Sequence, residues 1–235
     1  MNDEVRLLRT CLFTAGVLGL CLLAMWPRGT IEAALRAGTA PDTFTVAAVC
    51  CLLLLLYFGA RFGAEGFSPE SAAQLRELVT LTPVSLTLLI GTRMMSAALH
   101  TLLMLLAGAP LLAAAMAVGG AGVPQALCAL AVIGAATLAA RTCGFLFLVL
   151  VGRRAIRELL LIPFLAASLV LTFFAAPGMN PFHAIVFLLK SSDAPRSALV
   201  CAADDLGIAL VLAGSARAVM SAARRRAQKR GGKGA

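Results

Sequence analysis

The stretch that decides the fold is residues 44–62, FTVAAVCCLLLLLYFGARF. It is almost wholly apolar, and Arg61 near its end is its only charged residue. A helix rises about 1.5 Å per residue, so a stretch of this length roughly matches a hydrocarbon core of about 30 Å. The stretch therefore predicts a membrane-spanning helix.

The rest of the chain has the same character. Of the 235 residues 60% are hydrophobic and 13% are charged, whereas a soluble domain is about 45–50% apolar and about 25% charged. This composition excludes a soluble globular protein, a disordered protein and a collagen. It predicts an all-α, polytopic integral membrane protein. Six membrane-spanning helices are expected, at residues 7–26, 44–62, 93–118, 124–151, 159–176 and within 198–223.

The distribution of charge predicts the topology. We expect one six-helix domain over residues 1–223, followed by a basic, cytoplasmic and disordered tail over residues 224–235. The net charge is +9, of which the tail contributes +6. With the N-terminus inside, fifteen of the 20 lysines and arginines fall on the cytoplasmic side and four outside. This positive-inside bias predicts that both termini are cytoplasmic, in a bacterial plasma (inner) membrane in contact with lipids. No nucleic-acid partner is expected.

Two connections between the spans have structure of their own. Before the last span, residues 182–190 (FHAIVFLLK) follow Asn180-Pro181 and are too short to cross a membrane, so they predict a short re-entrant or interfacial outer helix. Between the second and third spans, Ser68-Pro69 is a helix-start pattern. The following residues 71–79 (SAAQLRELV) predict an amphipathic cytoplasmic helix, which Pro83 ends. The plainer alternative is an ordinary cytoplasmic loop with a proline turn.

This second connection carries a family resemblance. Glu77-Leu78, then residues 81–85 (LTPVS), then Gly91 and a long apolar helix that ends near Ala109-Pro110 resemble the permease subunits of ABC-2 type transporters. That family has six spans with cytoplasmic termini, and a coupling helix between spans two and three docks on a separate ATPase. Here Thr92-Arg93 stands where the family has a lysine after the glycine, and its acidic segment is matched only loosely.

The resemblance implies a permease subunit of an ATP-driven exporter, paired with a cytoplasmic ABC ATPase and with a second permease copy or a homologous permease. It places the ATPase contact at Gln74, Arg76, Glu77, Leu78, Thr82 and Pro83. The chain has no P-loop pattern G-x-x-x-x-G-K-[ST], so ATP and Mg are expected on the partner. We therefore expect no cofactor, no metal and no catalytic site on this chain. The transported substrate stays open.

Ionisable residues at membrane depth are costly and are candidate functional residues. They are His100, Arg141, Asp204 and Asp205. The aspartates either cap a last helix that begins at Leu206 or line a polar pathway. Arg141 either extends its charge to the inner surface or lines a cavity, and His100 is either a packed residue or a proton relay.

Two other functions remain open at this point. One is an accessory or scaffolding subunit of a membrane complex, which would have no ATPase partner. The other is an intramembrane enzyme in which His100, His183 and the two aspartates meet. Known hydrolase and metalloprotease motifs do not occur in the chain.

Overall fold

The computed structural model describes residues 3–25, 41–65, 85–151, 153–190 and 194–231. Within these ranges the chain is helical and has no β-strand. Six of the described helices are long and apolar enough to cross a membrane, which confirms the predicted all-α, six-span fold. The helices are α1 (Asp3–Met25), α2 (Pro41–Glu65), α3 (Leu86–Gly119), α4 (Val123–Leu150), α5 (Arg154–Ala175), the short α6 (Pro181–Phe187) and α7 (Ala194–Gly231), with a 3-10 turn at Pro177–Met179.

The turn between α3 and α4 is tight because glycine ends one helix and proline begins the next. Gly120 follows α3 in the left-handed conformation, with φ of 67°, which glycine adopts without steric cost. Pro124 lies in the first turn of α4, where a backbone amide has no intrahelical partner to lose. At the other end of α3, the Ser85 side chain accepts a hydrogen bond from the Leu88 amide at 3.4 Å.

The helix at the centre of the bundle is α4, which packs most extensively against α2 and α7. Its crossing with α2 is unusually close because glycines face backbone there. A Cβ added at Gly63 would overlap the carbonyl oxygen of Arg141, and one added at Gly144 would overlap that of Ala60. Gly59 and Gly63 are four residues apart, the small-residue spacing that lets membrane helices approach closely. The three helices α2, α4 and α7 therefore form the core of the bundle.

By contrast, α5 is loosely attached. Among its described side chains, only Arg157 and Leu161 are buried. Leu165, Ser168 and Thr172 are half-buried, whereas Phe174 is fully on the outside. Since these spacings follow the helical period, one face of α5 points toward the core and the remainder points outward. The contact with the core is incomplete, and space is left between α5 and its neighbours.

The short helix before the last span is confirmed. It is α6, which contacts α2, α4 and α7 and buries Ala184 and Ile185 in the core. Asn180 begins the helix, because its side-chain oxygen accepts a hydrogen bond from the His183 amide at 3.0 Å. Such a cap satisfies an amide that the first helical turn leaves unpaired.

Two expectations about the last helix are wrong. Because α7 begins at Ala194, Asp204 lies about 15 Å along the helix at about 1.5 Å per residue, and neither aspartate caps a helix N-terminus. At the other end, α7 continues to Gly231. Residues 224–231 of the basic tail are therefore helical, not disordered, since the helix runs on beyond the apolar span without a breaking residue.

Candidate functional site

A cavity of about 240 Å³ lies between α5 and the α2–α4–α7 core. Most of its wall is apolar, and its polar side chains are Asp205, Ser168, Thr172 and Cys143. Ala136, at the middle of α4, and Cys143, in its second half, form part of the opposite wall. The α4 residues of this wall therefore lie away from both ends of that membrane-spanning helix.

Asp205 is the acidic residue of this cavity wall. Its side chain is 6% exposed, and its Oδ2 atom is buried without a hydrogen-bond partner among the described residues. The neighbouring Asp204 is only half-buried and is not part of the cavity wall. A buried carboxylate that lacks a partner is costly, so Asp205 stands out as a group that a ligand could satisfy.

A second cavity, of about 250 Å³, lies between α2 and α5. Arg61, Glu65 and Glu158 line one end of it. Arg61 donates from Nε to Oε1 of Glu65 at 3.0 Å and from Nη1 to the Tyr57 hydroxyl at 3.2 Å. Glu65 ends α2 and Glu158 lies near the start of α5. This charged end therefore lies at the end of the bundle that the positive-inside bias assigns to the cytoplasm.

The two cavities are neighbours along the inner face of α5. They share three wall residues, Leu56, Leu165 and Leu169. Together they occupy the space between the charged end, at Glu65 and Glu158, and Asp205. We call this pair of adjacent cavities the α5 path.

The opposite end of the α5 path is bounded by the outer segment. Met179 and Pro181 form part of the cavity wall there. Between them, Asn180 is completely buried and donates from Nδ2 to the Leu169 carbonyl and to the Thr172 hydroxyl, both at 2.7 Å. This amide therefore ties the outer half of α5 to the segment that begins α6.

The structure brings two of the predicted polar residues together. Arg141 Nη2 lies 2.8 Å from His100 Nδ1. A guanidinium has donors only, so the imidazole accepts here and carries its proton on Nε2. The Arg141 guanidinium also lies over the Phe62 ring, 5.8 Å from its centroid, and the side chain is buried. The interpretation in which Arg141 reaches the membrane surface is therefore wrong, because its charge is held inside the bundle.

The other site residues predicted from the sequence lie apart from the Asp205 cavity or outside the described residues. The six proposed ATPase-contact residues fall in the segment 66–84, which lies outside the described residues. His183 stacks on Phe187 with ring centroids 4.2 Å apart. No histidine is among the described residues that form the wall of the Asp205 cavity. All seven cysteines are free thiols, and Cys21 Sγ lies 3.3 Å from Cys50 Sγ.

Several residues of this site were not singled out from the sequence. Ser168 and Thr172 are polar residues four apart within an apolar span, a pattern that indicates one polar face. Asn180 was noted only as part of Asn180-Pro181, the start of the short helix before the last span, and not as a residue that binds α5. Both signals are visible in the sequence. The role of Glu65 and Glu158 depends on how α2 and α5 pack, and no local pattern shows it.

Comparison with known proteins does not identify the chain: no family model, no curated protein and no solved structure matches it. The function is therefore argued from the α5 path and from the segment between α2 and α3.

Proposed function

We propose that this chain is the permease subunit of an ATP-driven exporter of the ABC-2 type, and that the substrate moves along the α5 path. The observation that carries the proposal is the pair of adjacent cavities that lie between the Glu65 and Glu158 end of the bundle and the buried side chain of Asp205. Ionisable groups at membrane depth mark substrate or ion pathways when they face a cavity. Asp205 meets that description.

The geometry also fits one state of an alternating cycle. The α5 path has Glu65 and Glu158 at one end and is bounded at the other by Met179 and Pro181. Transporters of several folds bind substrate near the bilayer midplane and expose that site to one side at a time. Because α5 buries little of its surface, its movement relative to the core would disturb few contacts. The Asn180 hydrogen bonds to α5 are the contacts that an outward opening would have to break.

The two ends of the segment between α2 and α3 support the proposal that this segment couples the movement to a partner. It starts directly after Glu65, which is both the end of α2 and part of the charged end of the α5 path. It ends at Ser85, the cap of α3. A partner that moves this segment would act directly on that end of the path. The sequence has no P-loop pattern, so we assign ATP hydrolysis to a separate ABC ATPase, with a second permease completing the complex.

Co-purification tests this proposal. The full chain is extracted from native membranes in a mild detergent, and its stoichiometric companions are identified by mass spectrometry. We expect an ATPase that carries a P-loop. Glu77→Lys should reduce the recovery of this ATPase without reducing the amount of the chain in the membrane. Glu4→Lys is the matched control, because it makes the same charge change on the same predicted side, outside the coupling segment.

Two results would contradict the proposal. Purification without any P-loop ATPase would favour an accessory or scaffolding subunit. Equal recovery of an ATPase with Glu77→Lys and with the native chain would show that the assigned segment is not the contact.

A further inference from the structure

We propose that the Asp205 cavity binds the cationic head of an amphiphilic substrate, with the apolar part of that substrate lying along α5. This inference rests on the proposed function, since it names the class of molecule that uses the α5 path. The proposed substrate is an organic cation with a short apolar chain, such as an alkylammonium.

The electrostatic surroundings of Asp205 favour a cation in this cavity. The Oδ2 atom of Asp205 is buried and has no hydrogen-bond partner among the described residues, and none of the described residues in the cavity wall is basic. A carboxylate in such surroundings is satisfied by an opposite charge, because the interaction is weakly screened away from water. A cation that enters the cavity supplies that charge.

The composition of the cavity wall favours an organic cation over a bare metal ion. A bare calcium or magnesium ion requires about six or more oxygen ligands, whereas the cavity offers one carboxylate and the hydroxyls of Ser168 and Thr172. Both hydroxyls donate to carbonyls within α5, Ser168 to Leu165 at 2.9 Å and Thr172 to Ser168 at 2.8 Å. The rest of the wall is apolar. Such a wall suits a head group that carries its charge on an alkylated nitrogen.

The size of the Asp205 cavity and the apolar surface next to it also suit an amphiphilic cation. A volume of about 240 Å³ is several times the roughly 30 Å³ that one water occupies in the liquid, and it accommodates a trimethylammonium group with part of a chain. The leucines shared with the second cavity continue the apolar surface toward the charged end. That end holds two carboxylates, Glu65 and Glu158, against one guanidinium, Arg61.

Binding of a fluorescent probe tests the inference without any ATPase. The full chain is placed in lipid nanodiscs and titrated with a dansyl-labelled alkyl chain that ends in trimethylammonium. Empty nanodiscs provide the background. Two further probes carry the same chain, one with a neutral tert-butyl head of similar shape and one with an anionic sulfonate head. We expect saturable binding of the trimethylammonium probe alone.

Substitutions assign this binding to the cavity. Asp205→Asn keeps the shape of the side chain and should weaken binding at least about tenfold. Asp204→Asn makes the same charge change at the neighbouring residue outside the wall and should leave binding unchanged. Asp205→Glu retains the charge and should retain most of the binding. Elution as a single peak in size-exclusion chromatography shows that each variant is folded.

The outcomes separate this inference from the proposed function. Equal binding of the tert-butyl probe, or equal loss with Asp204→Asn and Asp205→Asn, would overturn the cationic site even if an ATPase co-purifies. Specific binding by a chain that has no ATPase partner would support the site and contradict the exporter.

Discussion

The guanidinium of Arg141 and the imidazole of His100 meet inside the bundle, with Nη2 and Nδ1 2.8 Å apart. This contact joins α3 to α4 in the membrane-spanning part of the chain. One turn closer to the predicted cytoplasmic end of α4, the Arg93 guanidinium lies over the Phe145 ring at 5.1 Å from its centroid. Each of these two contacts between α3 and α4 places an arginine against a partner that can stabilise its charge.

The first prediction concerns this contact. His100→Leu removes the acceptor from a buried guanidinium, so it should lower the free energy of unfolding by about 1–2 kcal/mol. His100→Gln is the matched control, because its amide oxygen can still accept. Thermal unfolding in detergent measures both. Equal stability of the leucine variant and the native chain would show that the contact contributes nothing.

The second prediction concerns the crossing of α2 and α4. Gly63→Ala places a methyl group against the Arg141 carbonyl, so the helices must separate. We expect a loss of about 1–3 kcal/mol in the free energy of unfolding, as for other overpacked cores. Gly207→Ala, where no atom lies within 4 Å of the added Cβ, should be neutral or slightly stabilising. The same unfolding assay compares them, and an unaffected Gly63→Ala variant would argue against the close crossing.

The third prediction concerns the outer end of the α5 path. Asn180→Ala removes the hydrogen bonds to Leu169 and Thr172 and the cap of α6. Backbone amides of α6 should then exchange with deuterium faster. A loss of about 1.4 kcal/mol in the local stability of α6 corresponds to roughly tenfold faster exchange or more. Hydrogen–deuterium exchange with mass spectrometry resolves this segment from the core. Exposed Ser215 supplies the control, Ser215→Ala, which should change exchange only around itself.

The fold could be predicted from the sequence because span length and hydropathy are local properties. The run at residues 44–62 is apolar without interruption, and Gly120 with Pro124 marks a tight turn without reference to any neighbour. The start of α7 was missed, although Asp193 and Pro195 form a helix-start pattern in the sequence. The apolar residues beyond Leu206 favoured a later predicted start of this helix.

The site itself could be predicted only in part. Hydropathy indicated that Arg141, His100 and Asp205 are costly inside the membrane, and in the structure Arg141 and Asp205 are buried and Arg141 contacts His100. Their partners could not be predicted, because spans that are apolar on all sides give no signal for the face that each helix turns inward. His100 and Arg141 are 41 residues apart in the chain, and only the packing of α3 on α4 brings them together.

The measurement that tests the central claim most directly is water access to the α5 path. In a chain whose seven cysteines are replaced, Leu165→Cys is labelled with a membrane-impermeant thiol reagent in inside-out membrane vesicles. Phe174→Cys, on the face of α5 that points away from the core, is the control. The account predicts labelling at residue 165 but not at 174, and a loss of that labelling when ATP and vanadate arrest the partner ATPase. Equal labelling at both positions, or labelling at 165 that ATP does not change, would contradict it.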